Sequence, residues 1–176
     1  MDAEWRTRLA GEPVHLLGGR ALWRPRARAL LVADLHLGKG DAFRRAGLAI
    51  PGGGTALDLR RLDALLAGYP AEVLWILGDL LHGPAPRAHW LAAWRTWRAG
   101  HPGLRIRVLR GNHDRAFAAS VLDVEDAGGE QRDGPFLLRH DPRPAPGAHV
   151  LCGTCIRWPP CPACTGAGRR SGCAKA

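Results

Sequence analysis

Lysine is almost absent from this chain. Of the 25 basic residues, only Lys39 and Lys175 are lysine, and the other 23 are arginine. Arginine and alanine richness fits GC-rich coding as well as it fits a surface for nucleic acid. The net charge of +9 therefore permits binding to polyanions without requiring it. Long apolar runs are also missing. None approaches the roughly 18 residues of a membrane span, so no membrane partner is expected. Met1-Asp2-Ala3-Glu4 lacks the basic and apolar regions of a secretory leader, and the expected compartment is the cytoplasm. Acidic residues stop early: all 16 precede Gly153, whereas Arg157, Arg169, Arg170 and Lys175 follow it. Four of the five cysteines lie after that same glycine, the fifth being Cys152.

What remains is the composition of a globular protein. A length of 176 residues suits one domain able to bury a core without disulfide staples. Val14 to Trp23 reads as a first strand. Ala29 to Ala33 is a continuous apolar run, as in a strand buried on both faces. Asp41 to Leu48 reads as a short helix. Thr55 is placed to cap a second helix that runs to about Leu66 and ends at Gly68. Val73 to Leu77 is another apolar strand. Pro86 to Ala99 reads as a helix whose Trp90, Leu91, Trp94 and Trp97 recur at three- and four-residue steps. Core packing explains that stripe better than a base-stacking platform does. Leu104 to Leu109, Val121 to Val124, Phe136 to Leu138 and Val150 to Cys152 complete the strands. Strands alternating with helices and then clustering predict a mixed α/β sandwich of sheets with outer helices.

Polar clusters follow the strands. Asp34 and His36 come after the first buried run, Asp79 after the next, then Asn112, His113 and Asp114, and finally His140. Ligands of α/β sheets gather at such strand ends. The spacing of Asp34 and His36 on an extended segment would aim both side chains the same way. Gly78 and Gly111 would allow close approach to a charged centre. Carboxylate, imidazole and amide oxygen donors suit Mn, Fe or Zn. Each signal is commonplace alone; a histidine after a strand is more often a surface residue, and Gly-Asp is usually a turn. The ordered set of four is not commonplace.

Asp34-Leu35-His36, Gly78-Asp79, Gly111-Asn112-His113-Asp114 and His140 resemble the calcineurin-like metallophosphoesterases. Ala33 to Lys39, Phe43 to Gly47, Leu77 to His82, Arg110 to Arg115 and the Pro-rich stretch His140 to Pro146 are similar to the bacterial ligase-associated DNA damage response endonucleases. The likeness spans about residues 14–153. It implies the family's four-layer β-sandwich flanked by helices and an enzyme holding two divalent metal ions, most simply Mn. Asp34, His36 and Asp79 would hold one ion. Asp79, Asn112 and His140 would hold the other. His113 would protonate the leaving-group oxygen, oriented by Asp114. Two cations of this kind clamp a phosphate and neutralise charge on its leaving oxygen. Arg44, Arg45, Arg110 and Arg115 are candidates for flanking phosphates, although solvated surface charge is the commoner role for any one of them. The implied substrate is a phosphodiester, DNA in repair, and the implied partners are DNA with a DNA ligase and a helicase. The alternatives are a phosphomonoesterase or nucleotide phosphatase on the same scaffold, and a non-catalytic zinc-knuckle binder of nucleic acid.

The pattern then breaks. The resembling family closes with Gly-His-x-His, and here Gly153 is followed by Thr154-Cys155-Ile156. Each ion would lack one protein ligand. Back-translated with GC-biased codons, Thr154 to Trp158 recovers His-Leu-His-Pro-Val when one base is restored before it. Residues 1–153 are therefore expected to be an incomplete metallophosphoesterase domain, truncated at its C-terminal end. Residues 154–176 are expected to be a frameshifted, disordered tail. Taken at face value instead, Cys152-x-x-Cys155 and Cys161-x-x-Cys164 are two zinc-type pairs, separated by fewer residues than is usual.

Overall fold

The structure is a computed structural model that describes residues 4–82, 90–114 and 118–157. It opens with strands β1 (Glu4–Leu9), β2 (Glu12–Leu17), β3 (Ala21–Arg24) and β4 (Ala29–Val32). The single strand expected from Val14 to Trp23 is two. Gly18-Gly19-Arg20 turns the chain, with Arg20 at φ 54°, and Leu16 then pairs with Leu22 across an antiparallel hairpin. Helices α1 (Lys39–Arg45) and α2 (Gly54–Gly68) precede β5 (Val73–Leu77). After them come α3 (Trp90–Ala99), β6 (Arg105–Leu109), α4 (Ala119–Leu122) and β7 (Glu125–Asp126). The described chain closes with β8 (Glu130–Asp133), β9 (Phe136–Arg139), β10 (His149–Cys152) and α5 (Gly153–Arg157).

Strands β1 to β7 form one sheet in sequence order, antiparallel through β4 and parallel from β4 to β7. A second sheet has the order β10-β9-β8. The central strands read as unbroken apolar runs because both of their faces are covered. Leu30, Val32, Leu74, Ile76, Ile106 and Val108 face α2 and α3, whose Leu59, Leu62, Trp90 and Trp94 join the same core. The alternate residues Leu31, Trp75, Leu77 and Leu109 meet Phe136, Leu138 and Leu151 of the small sheet. The tryptophan stripe is core, as its spacing suggested. Trp94 donates its indole N–H to the Leu122 carbonyl (2.9 Å), and Trp97 donates to Asp63 (2.6 Å).

Arg24 ties the two sheets. Only 2% exposed, it pairs with Asp133 at 2.6 Å and lies over the Phe136 ring. Trp75 Nε1 donates to the same carboxylate at 3.1 Å. Strand β8, Glu-Gln-Arg-Asp, is wholly polar and has no hydrophobic pattern by which to be read.

Val121 to Val124 is not a strand. Asp123 at φ 53° closes the helical turn of α4, which turns Leu122 into the helix-side core. Thr55 does not cap α2; its hydroxyl instead accepts the Gly38 N–H at 3.3 Å. Order continues past Gly153 into α5, where Cys155 and Ile156 are buried, Ile156 between the two sheets. The rest of the expected tail, Cys161 and Cys164 included, lies outside the described residues, as does the start of the helix expected from Pro86.

Candidate metal centre

The loops after β4 and β5 are laced together beyond the sheet. Asp34 N donates to Gly78 O (3.1 Å), His36 N to Asp79 O (2.9 Å), Leu37 N to Leu80 O (2.8 Å) and His82 N to Leu37 O (3.0 Å). Asp34, His36 and Asp79 take left-handed φ values of 52°, 46° and 53°. Asp34 and His36 are thus presented by consecutive left-handed kinks, not by the extended alternation their spacing suggested, and Leu35 between them is buried. Non-glycine residues held in this region cost about 1–3 kcal/mol each and tend to cluster at functional sites.

Asp79 is the buried centre, 5% exposed. One ligand atom each of Asp34, Asp79 and His140 lies within 4.8 Å of the other two. His36 Nε2 is 3.9 Å and His140 Nε2 3.6 Å from Asp79 Oδ2. Asn112 Oδ1 is 3.0 Å from His140 Nε2. All five expected ligands therefore meet, and the tight trio draws from both of the expected sets. Two glycines make this possible. A Cβ on Gly78 would strike the His140 ring, and one on Gly111 would strike the Asp79 carboxylate.

The donor set fits a cation. His140 Nδ1 lies 3.1 Å from the Leu77 carbonyl, which can only accept, so Nδ1 carries the proton and donates it. The ring's other nitrogen, Nε2, faces Asn112 Oδ1 and Asp79 Oδ2 and is the atom placed to ligate. Carboxylate oxygens and an imidazole nitrogen gathered within 4.8 Å of one another are donors of the kind that hold a divalent cation. His36 Nδ1 is buried and, among the described residues, has no hydrogen-bond partner. Burial, foremost, pushes the His36 pKa below the ordinary histidine value, helped by Lys39 and His113 and opposed by Asp79 and Asp34. Its ring is thereby kept neutral and able to ligate.

His113 lies over this cluster. Its backbone N–H donates to Asp79 Oδ1 at 3.0 Å, and its ring sits 5.3 Å from that of His36. Asp114 was expected to orient that ring, but both of its oxygens take backbone N–H groups, Leu81 at 2.9 Å and Gly111 at 2.8 Å. It fixes the turn that carries Asn112 and His113. Arg44 pairs with Asp41 and donates to the Pro51 carbonyl (3.1 Å), and Arg110 pairs with Asp126. Both guanidiniums are thus engaged on the surface. Arg45 is exposed on α1, and Arg115 lies outside the described residues.

His82 was given no role by sequence reasoning. Its ring stacks on His113 at 5.3 Å and meets Phe43 edge-on at 5.7 Å. The only hint is its place three residues after Asp79, at the end of the laced loop.

The calcineurin-like phosphoesterase family model matches residues 27–158, which carry all four clusters. The chain belongs to that family. This phosphoesterase is also similar to a nuclease, MPE, of Pseudomonas putida. The two folds agree with a TM-score of 0.73 at 36% identity, over 85% of this chain and 72% of that one. No curated protein matches it. Family membership makes it a metal-dependent hydrolase of phosphoesters. No helix of its described residues is long and apolar enough to cross a membrane.

Proposed function

We propose that this phosphoesterase is a nuclease-type phosphodiesterase acting on DNA, in repair, with two divalent cations at its centre. The observation that carries the reading is the convergence of Asp34, His36, Asp79, Asn112 and His140, with His140 Nε2 turned toward two oxygen acceptors. Asp34, His36 and Asp79 would hold one ion. Asp79, Asn112 and His140 would hold the other. Mn, or Fe or Zn on the same donors, would supply Lewis acidity there, drawing charge from the phosphate. His113 delivers a proton to the leaving oxygen, and Asp114 holds the turn that aims it. The likeness to a nuclease favours a diester over a monoester. Membership of the ligase-associated branch, and work alongside a ligase and a helicase in the cytoplasm, belong to the same proposal through the sequence resemblance.

Thr154 and Ile156 stand where the resemblance expects the last two histidines. Thr154 is exposed and Ile156 is buried between the sheets. We therefore expect this chain to work well below a version with the reading frame restored after Gly153.

The test is Mn-dependent cleavage of single-stranded DNA and of a generic phosphodiester, by this chain and by the restored one. Chelation and Asp79→Asn should each abolish it. Hydrolysis of monoesters alone would replace the proposal with a phosphatase. Equal rates for the two chains would remove the claim of impairment. DNA binding untouched by chelator and by Asp79→Asn, with no cleavage, would favour the zinc-knuckle binder.

A further inference from the structure

Arg20 has no role in the site so far. It lines a cavity of about 440 Å³ whose wall also includes Asp34 and His36 of the metal centre. The turn that carries it, Gly18-Gly19-Arg20 between β2 and β3, is held from two sides. Arg61 of α2 donates through Nη1 to the Gly19 carbonyl at 2.6 Å and to the Arg20 carbonyl at 3.4 Å. Gly19 packs on Leu65, whose Cδ2 would lie 3.1 Å from an added Cβ. Arg20 itself is left-handed, with φ 54°. Glycine takes that conformation freely, whereas an arginine there is strained. Its side chain is exposed and, among the described residues, makes no ion pair.

The surrounding charges leave Arg20 unneutralised. Asp58, on the same lining, stands 3.9 Å from Arg61. Burial raises the Asp58 pKa against the pull of Arg61 and Arg20. Burial, and then Arg20, lower the Arg61 pKa. Two guanidiniums thus share one carboxylate and repel each other. Lys39, a further cation on the lining, lies 6.0 Å from the Phe43 ring centre. Arg44 and Arg110, expected at flanking phosphates, are engaged by Asp41 and Asp126 instead. A planar guanidinium on a fixed turn matches a phosphate, which it can hold through two parallel N–H bonds. We propose that Arg20 binds the substrate phosphate next to the scissile one, so that the nucleic-acid backbone runs from the metal centre across this cavity to the β2–β3 turn. Such a contact positions the strand without reading its bases. The inference rests on the nuclease reading and adds to it a binding residue and the path of the strand.

The test measures binding of a labelled oligothymidylate by the full chain without metal, using fluorescence anisotropy over a range of salt. Arg20→Gly should weaken binding about tenfold at low salt, the order of one charge-assisted contact. It should also lower the slope of log affinity against log salt by about 0.7. Glycine relieves the left-handed strain, so this variant should melt no lower than the parent chain. Arg20→Lys keeps the charge without the planar fork, and should restore the salt slope but only part of the affinity. Arg105→Ala is the control. It removes the same charge at the start of β6, the end of that strand away from the metal centre, and should leave the slope unchanged. Absence of binding by the parent chain, an affinity untouched by Arg20→Gly, or an equal loss in Arg105→Ala would each overturn the proposal. A fall in Tm with Arg20→Gly would make Arg20 a structural residue and overturn it too. Failure of the nuclease reading would show separately, as Arg20-dependent binding with no Mn-dependent cleavage of the same oligomer.

Discussion

Gly111→Ala tests the metal centre with a single methyl group. Gly111 sits at the end of β6 with its N–H held by Asp114 at 2.8 Å. A Cβ there would lie 2.5 Å from the Asp79 backbone nitrogen and 2.9 Å from its Cγ, and would also strike Oδ1. Favourable non-bonded separations are about 3.5 Å or more, so something must move by about 1 Å. The nitrogen belongs to the laced β5 loop and the carboxylate is the centre of the site, so neither yields cheaply. Overpacking of this kind costs about 1–3 kcal/mol. In a domain of this size that is a fall of about 5 °C in Tm. A displacement of about 1 Å at a reacting centre costs about 100-fold in rate. Thermal unfolding with and without Mn, alongside diester hydrolysis, measures both effects. Gly103→Ala is the control, since the added methyl group meets nothing within 4 Å and the backbone there is not left-handed. The reasoning fails if Gly111→Ala melts with the parent chain and keeps the parent's Mn-induced rise in Tm.

Other expected outcomes follow from single contacts. Asp114→Asn turns an amide N–H₂ toward one of two backbone donors, Leu81 or Gly111, and should cost about 1–3 kcal/mol in urea unfolding. Asp133→Ala strands the buried Arg24 guanidinium and removes the acceptor of Trp75; a loss of about 3 kcal/mol is expected, and a change within error would show that the two sheets hold without this tie. His82 has its pKa lowered, mainly by burial and then by His113 and Lys39. The unfolded chain therefore takes up that proton first as pH drops below about 6.5, and native stability falls with it. His82→Gln should lessen the drop in urea midpoint between about pH 7.5 and about pH 5.5, and an unchanged drop would count against the assignment.

The four polar clusters were legible because each follows an apolar run, and buried strands leave that trace whatever surrounds them. Their meeting at Asp79 was supported by resemblance more than by spacing, since strand order and sheet curvature are tertiary facts. Asp34 and His36 show the difference. Their separation by one residue suggested a strand, yet both are left-handed, a conformation imposed by hydrogen bonds to the β5 loop. Asp114 was misread because a carboxylate beside a histidine suggests a side-chain pair, whereas the nearest unsatisfied donors were backbone. Strand β8 and His82 were missed for a common reason. A polar edge strand and a ring that works by stacking leave no periodic signal. The helix at α4 overrode two β-branched valines because a turn at Asp123 put Leu122 into the core.

The pairing that stitches the β4 loop to the β5 loop as far as His82 makes two corners of the site an extension of the large sheet. Those corners should travel as one body, and their amides should resist hydrogen exchange nearly as long as the strands they prolong. Any breathing that admits a polymer or releases its fragments must then come from the other side, where residues 111–114 and the stretch beyond His140 are held by fewer backbone ties.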